Sequence, residues 1–269
     1  MKVRRWHPSE VLNPSSAVIL IGRRGSGKTT AMADLAYNIW RQGHIDLAIG
    51  MSPTDETNES MQQFIPRSLI FDSYREDVIS NLLTVQRNMW KKKKGYNVAL
   101  FLDDCAYKKS IFKSETIREL FMNGRHRHIT VVVTLQYSID MPPAIRNQAD
   151  AVIQCRDTQI SSRETLHKQF FGAIKSFKDF SKVMDGCTEN YKMMVLHNGG
   201  VVSNNVEDNI FWWRANLHNE EFLLGRPCFW SMDRFFFCDP DDADAATMQH
   251  QDDQDVVCQD DNDESSRRE

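Results

Sequence analysis

The chain has 269 residues, a hydrophobic content of 41% and a formal net charge of −4. That length holds one large α/β domain or two small ones, and the apolar fraction supports a packed core. No run of about 18 apolar residues occurs, so no membrane-spanning helix is expected, and the basic start Met1-Lys2-Val3-Arg4-Arg5 has no apolar stretch behind it and is not read as a secretory signal.

Residues 1–16 read as an irregular lead-in broken by Pro8 and Pro14. Ala17-Val18-Ile19-Leu20-Ile21 is then an apolar run of the kind that forms a buried parallel strand. It ends on Gly22-Arg23-Arg24-Gly25-Ser26-Gly27-Lys28-Thr29, which fits the phosphate-binding pattern G-x-x-x-x-G-K-[ST] without a mismatch, and Thr30 extends it. At an average Gly usage of about 7%, that pattern arises by chance in roughly one chain in a hundred of this length. The glycines let successive N–H groups point inward at phosphate oxygens. Lys28 is placed to reach the β- and γ-phosphates as a point charge, and Thr29 to set a hydroxyl on Mg²⁺. Met32, Leu35, Ala36, Ile39 and Trp40 follow at helical spacing, so a helix N-terminus favours the same anion.

Leu47-Ala48-Ile49-Gly50-Met51 is a second short strand, followed by a polar loop over residues 52–58, and Ser68-Leu69-Ile70-Phe71 is a candidate for another. Val78, Ile79, Leu82, Val85, Gln86 and Met89 form one mainly apolar helical face that closes on Lys91-Lys92-Lys93-Lys94-Gly95. The lysines complement the helix dipole with Gly95 as cap, or they contact phosphate; the pattern allows both. Val98-Ala99-Leu100-Phe101-Leu102 is a strand ending on Asp103-Asp104. Ile117, Leu120 and Phe121 belong to a short helix, and the β-branched run 129–135 is a strand ending at Gln136. Pro142-Pro143 opens a turn or helix, and residues 151–155 are a further strand. Ser161 and Glu164 have capping-box spacing before a helix carrying Leu166, Phe170 and Phe171. Phe177, Phe180 and Met184 mark another amphipathic stretch. Residues 193–196 and 209–213 read as late strands flanking Asn198-Gly199-Gly200, a hairpin or a looped pair.

The alternation of strands and helices implies an α/β fold: a mostly parallel central sheet flanked by helices, with late antiparallel strands. Residues 17–238 are read as the domain, and residues 239–269 as an acidic disordered tail. That tail carries twelve acidic and two basic residues, so the remaining 238 residues carry 31 basic and 25 acidic ones. A mildly basic body is compatible with nucleic acid. The six cysteines form no C-x-x-C and no zinc-finger spacing, which favours reduced thiols in a cytosolic compartment.

An apolar strand ending in an acid is where a Walker B site puts its metal carboxylate, which makes Asp103 the candidate Mg²⁺ ligand beside Thr29 and Asp104 the candidate to polarise water. A plain Asp-Asp turn is the alternative. Gln136 is placed to sense the γ-phosphate. Neither N-K-x-D nor D-x-x-G occurs, which disfavours a GTPase. The set formed by residues 22–30, Leu100-Phe101-Leu102-Asp103-Asp104, and Asn123-Gly124-Arg125-His126-Arg127-His128 before the Gln136 strand resembles the DNA-packaging ATPases of the large nucleocytoplasmic DNA viruses, within the FtsK–HerA group of P-loop motors. The resemblance covers roughly residues 15–215.

That resemblance implies an ASCE-type (RecA-like) core, with an extra strand between the P-loop strand and the Walker B strand. It implies ATP and Mg²⁺ as cofactors, and a homo-oligomeric ring of five or six subunits moving double-stranded DNA into a capsid. A capsid protein is a further partner, and the host cytoplasm, its viral factory and the virion are the locations. It also implies that Arg125 acts in trans as an arginine finger, with Arg127 and Arg146 in reserve. The wider group mostly has Glu where this chain has Asp104. A nucleoside or nucleotide kinase, and a nucleotide-binding assembly or docking protein with slow turnover, are the alternative readings.

Overall fold

The computed structural model describes residues 3–12, 15–43, 45–105, 110–137, 141–199 and 206–237. In chain order the elements are β1 (Arg4–Arg5), α1 (Pro8–Val11), β2 (Ala17–Ile21), α2 (Lys28–Arg41), β3 (Leu47–Met51), α3 (Asp55–Gln62), β4 (Ile70–Phe71), α4 (Glu76–Lys91) and β5 (Val98–Leu102). There follow α5 (Glu115–Asn123), β6 (Ile129–Leu135), α6 (Pro143–Arg146), β7 (Ala151–Gln154), α7 (Ile160–Gln169), α8 (Phe177–Cys187), β8 (Met193–His197), β9 (Ile210–Trp213) and α9 (Pro227–Phe237).

Among the described residues the strands form one sheet in the order β1-β9-β8-β7-β2-β6-β5-β3-β4. From β7 to β4 every pairing is parallel, and only β8 runs against its neighbours. β6 lies between β2 and β5, the inserted strand the resemblance implies. All five residues of β2 and of β5 are buried, because helices cover both faces of a parallel sheet and each strand must be apolar on both. Val18 and Leu20 pack on α2 with Met32, Leu35 and Ala36. Ile19 and Ile21 face the opposite layer, with Leu83, Leu120, Leu166 and Phe180. The period-2 alternation of strand side chains splits the core into these two layers.

Several expectations are corrected. The stretch before residue 16 is not wholly irregular: Arg4 and Arg5 pair in parallel with Phe211 and Trp212, and Trp6 beneath them is 1% exposed. The capping box at Ser161 and Glu164 does not form. Helix α7 starts at Ile160, two residues before a Ser161 cap would begin it, where the Asp157 carboxylate accepts Gln159 N–H at 2.9 Å and also takes the Ser162 hydroxyl. Gly95 does not cap α4; Lys93, at φ 56°, takes the left-handed position, and Gly95 lies against the Trp90 ring. On α4 the buried positions are Ile79, Leu83 and Gln86, while Val85 is exposed.

The late strands β8 and β9 pair antiparallel as expected. Residues 200–205 of their connection, the proposed tail 239–269, Pro14, Cys238 and Cys258 lie outside the described residues. Cys105, Cys155, Cys187 and Cys228 are free thiols. No helix among the described residues is long and apolar enough to cross a membrane.

Candidate functional site

The loop after β2 is clamped from both sides of its strand. Gly22 N–H donates to Leu135 O of β6 at 2.9 Å, and Cys155 N–H, just past β7, donates to Ile21 O at 2.8 Å. Cys155 packs so closely that a methyl group on Gly22 would fall 2.4 Å from Ser26 Oγ and 2.6 Å from Cys155 Cβ. Only glycine fits there. Gly27 caps α2 at φ 91°, left-handed, and turns the chain so that the helix begins at Lys28.

Within the loop, Arg23 O accepts Ser26 Oγ–H at 2.7 Å and Lys28 Nζ–H at 3.3 Å. The Arg23 side chain turns away to Asp157 at 3.2 Å. A cavity of about 600 Å³ opens over Arg24, Gly25, Gly27, Lys28, Thr29 and Thr30. Gly22, Arg23 and Ser26 therefore shape the loop from behind, and the other members of the set face the space.

Asp103, Asp104 and Gln136 line the same cavity. Asp103 is 3% exposed, and two hydroxyls orient its carboxylate: Ser52 at 3.3 Å and Thr134, which donates to the other oxygen. Thr134 Oγ1 in turn accepts Asp104 N–H at 3.1 Å. Asp104 sits at φ 46°, a left-handed position that Asp tolerates better than most residues at a cost of order 1 kcal/mol. Its Oδ2 accepts Gln136 Nε2–H at 2.9 Å and lies 3.9 Å from Lys28 Nζ, while Oδ1 is buried without a partner. Burial pushes the Asp104 carboxyl above the ordinary carboxylate range; Gln136 and Lys28 pull it down, and Asp103 adds to the rise.

These donors fit MgATP. The amides and the Lys28 ammonium suit a phosphate chain. One fixed carboxylate and one hydroxyl, Asp103 and Thr29, suit Mg²⁺, which takes few protein ligands and completes its shell with phosphate oxygens and water. Among the described residues no cluster of three or more His, Cys, Asp or Glu competes for a metal.

Arg125 is not brought to this cavity. It precedes β6, at the opposite edge of the sheet from the P-loop, and pairs with Asp150 while its side chain stays 66% exposed. Seven residues of β6 separate the two edges, about 20 Å at the usual strand rise. Arg127 is 8% exposed, bound to Glu119 and to Leu83 O, and is a fold residue. Arg146 donates to Met141 O at 3.1 Å.

Sequence reasoning missed Ser52 and Thr134, whose signal was a hydroxyl residue at or near the end of each strand flanking β5. It also missed Tyr191, Met193, Arg214 and Leu217, which line the far end of the cavity.

No family model matches the chain. It is 32% identical over 225 residues to the uncharacterized protein 088R of Invertebrate iridescent virus 3, covering 81% of this chain and 85% of that one. To the uncharacterized protein L437 of Acanthamoeba polyphaga mimivirus it is 29% identical over 237 residues, covering 84% and 81%. Among solved structures it resembles the genome packaging NTPase B204 of Sulfolobus turreted icosahedral virus 2, in complex with AMPPCP, at a TM-score of 0.54 and 19% identity, over 76% of this chain and all of that one. It also resembles the pCW3 conjugation coupling protein TcpA with ATPγS, at 0.51 and 11%, over 76% and 61%.

Proposed function

Since the chain belongs to the family of large-DNA-virus proteins that includes 088R of Invertebrate iridescent virus 3, and has the fold of the FtsK–HerA type of P-loop ATPases, we propose that it is an ATP-hydrolysing motor that translocates double-stranded DNA during genome packaging. One observation carries the enzymatic part. Lys28, Asp103, Asp104 and Gln136, drawn from three separate strand ends, converge on one cavity at the carboxyl edge of the sheet. B204, described as a packaging NTPase, and the mildly basic body support the DNA part.

In this reading the amides of residues 25–29 and Lys28 bind and orient the β- and γ-phosphates. Thr29 and Asp103 would hold Mg²⁺, which when bound would neutralise charge on those oxygens. Asp104, raised by burial toward a better base, positions the attacking water through Oδ1, the oxygen that has no hydrogen-bond partner within the protein, and takes its proton. Gln136 holds the other oxygen and couples β6 to the phosphate state. The rest of the catalysis is positioning and electrostatics. Arg125 stands too far from its own loop to act there, so its catalytic role, if it has one, is on a neighbour in a ring.

The test is steady-state ATPase turnover with and without double-stranded DNA across a salt series. Stimulation at low salt that fades as salt rises supports the motor. Turnover indifferent to DNA at every salt concentration, with transfer to a small acceptor, means a kinase instead. DNA-independent hydrolysis at a slow rate means a docking protein.

A further inference from the structure

The cavity over the P-loop has two ends. Asp103, Asp104 and Gln136 lie on the β6–β5 side of β2, and Tyr191, Met193, Arg214 and Leu217 on the β8–β9 side. A nucleotide whose γ-phosphate meets the carboxylate side extends its sugar and base toward the other.

The topology explains how that far end is built. β8 runs antiparallel to β7, so its first residue, Met193, stands at the P-loop edge, paired with Trp213, the last residue of β9. The turn before β8 and the loop after β9 therefore reach the same mouth. In the turn, Asn190 and Tyr191 both take left-handed backbone, at φ 52° and 58°. Two successive non-glycine residues there carry strain, which the surrounding fold must hold. The outcome is a Tyr191 side chain standing out at 70% exposure beside the start of α2. A methyl group on Gly27 would meet Tyr191 Cδ1 and Met193 Cε at 3.8 Å. Arg214 and Leu217 line the same end, and the loop that carries them is tied down rather than loose. Asp34 of α2, 1% exposed, accepts Asn216 N–H at 2.8 Å on one oxygen and bonds His218 Nε2 at 2.7 Å on the other. His218 stacks on Tyr37 with ring centroids 3.6 Å apart.

We propose that Tyr191 and the Arg214–Leu217 wall form the slot for the base of the bound nucleotide, which they grip by its faces. The inference rests on the nucleotide-hydrolysing reading above. A phenol ring and a guanidinium plane are the side chains that stack on bases. Tyr191, Met193, Arg214, Ala215 and Leu217 bring no side-chain amide or carboxylate to this end, and the glutamate among the cavity's lining residues, Glu56, follows β3 on the other side of β2. The slot therefore selects for stacking area, which favours purine nucleotides over pyrimidine ones. Asp34 acts as a positioning residue, holding the loop that carries the second wall.

The test is calorimetric binding of two probes with Mg²⁺: AMPPCP, which has a base, and inorganic tripolyphosphate, which has none. Tyr191→Ala is expected to weaken AMPPCP about tenfold or more, the scale of one lost base stack, while tripolyphosphate stays within about twofold. Tyr191→Phe keeps the ring and retains AMPPCP. Equal weakening of both probes in Tyr191→Ala, or none of either, overturns the slot. Lys28→Ala is expected to lose both probes. Wild-type protein that binds neither probe overturns the nucleotide reading and the slot together; wild-type protein that binds both, with Tyr191→Ala indistinguishable from it, overturns the slot alone.

Discussion

The side-chain amide of Gln136 donates to Oδ2 of Asp104 at 2.9 Å, and Lys28 Nζ lies 3.9 Å from that same oxygen. The residue that closes β6 and the residue that follows β5 are thus linked directly to the lysine of the P-loop. With Oδ2 engaged, the free lone pairs of Asp104 are on Oδ1, which is buried and unpartnered. If water activation occurs there, Asp104→Asn keeps the shape and loses the base. Single-turnover hydrolysis is expected to fall by about 10²–10⁴-fold with AMPPCP affinity nearly unchanged. Gln136→Ala should cost less, on the order of 10²-fold, since it removes an orienting donor rather than the base. Hydrolysis near the wild-type rate in Asp104→Asn would assign the base elsewhere.

Thr134 ties the two acids together, donating to Asp103 and accepting from the backbone of Asp104. Thr134→Val is nearly isosteric, yet it removes both bonds and leaves Asp104 N–H without its acceptor. A stability loss of about 1–3 kcal/mol is expected from the unpaired group. The Mg²⁺ requirement should rise, because the Asp103 carboxylate is then held by Ser52 alone. Denaturant titration and a Mg²⁺ dependence of hydrolysis check the two effects separately. An unchanged Mg²⁺ dependence would detach Thr134 from the metal site.

Much of this site is legible in the sequence because buried parallel strands read as unbroken apolar runs, and their last residues mark the carboxyl edge where ligands bind. Ile21, Leu102 and Leu135 all end such runs, so the P-loop, Asp103-Asp104 and Gln136 follow from local pattern. Arg4 and Arg5 are exposed and polar, and only their register against Phe211 and Trp212 makes them a strand. Helix α9 carries Phe235 at 82% exposure, and its apolar residues follow no buried stripe that periodicity could detect. The base slot is invisible for a different reason. Tyr191 and Arg214 reach the cavity that Gly27 lines only through the antiparallel pairing of β8 and β9, a long-range fact. Arg125 is legible in both respects: it precedes the strand that Gln136 closes, and in a parallel sheet the entry of that strand lies at the edge remote from the P-loop.

His197 sets a pH dependence of stability. It is 7% exposed, and burial holds its pKa below the usual value despite the pull of Asp150. In the folded protein it stays neutral where the unfolded chain, with a pKa of about 6.5, takes a proton. The unfolded state binds more protons in that window, so stability rises with pH there. The contribution is complete above about pH 6.5 and is lost as the pH falls toward the depressed folded value, at up to about 1.4 kcal/mol per pH unit. His128, also lowered by burial, adds in the same direction. His197→Phe should flatten the slope of stability between pH 7 and pH 5, measured by urea titration. A slope as steep as wild type would place the effect on another group.

Arg125 and Asp150 join two strand entries at the edge remote from the P-loop. Asp150 accepts Ala17 N–H at 2.8 Å on one oxygen and Arg125 on the other. If Arg125 only braces this edge, Arg125→Ala lowers stability slightly, as half-exposed pairs do, by about 1 kcal/mol or less, and leaves hydrolysis intact. If Arg125 serves a neighbouring subunit, the same variant folds normally and loses hydrolysis by about 10³-fold or more, the scale of an arginine finger. Mixing decides between these. An Arg125→Ala subunit keeps its own Lys28, and a Lys28→Ala subunit keeps its own Arg125. Rings containing both species would then hold interfaces where an intact P-loop meets an intact Arg125. We expect the mixture to regain part of the activity that each variant lacks alone. Mixed rings that form, as seen by native mass spectrometry, and remain inactive would end the trans assignment. So would an Arg125→Ala protein that hydrolyses ATP at the wild-type rate.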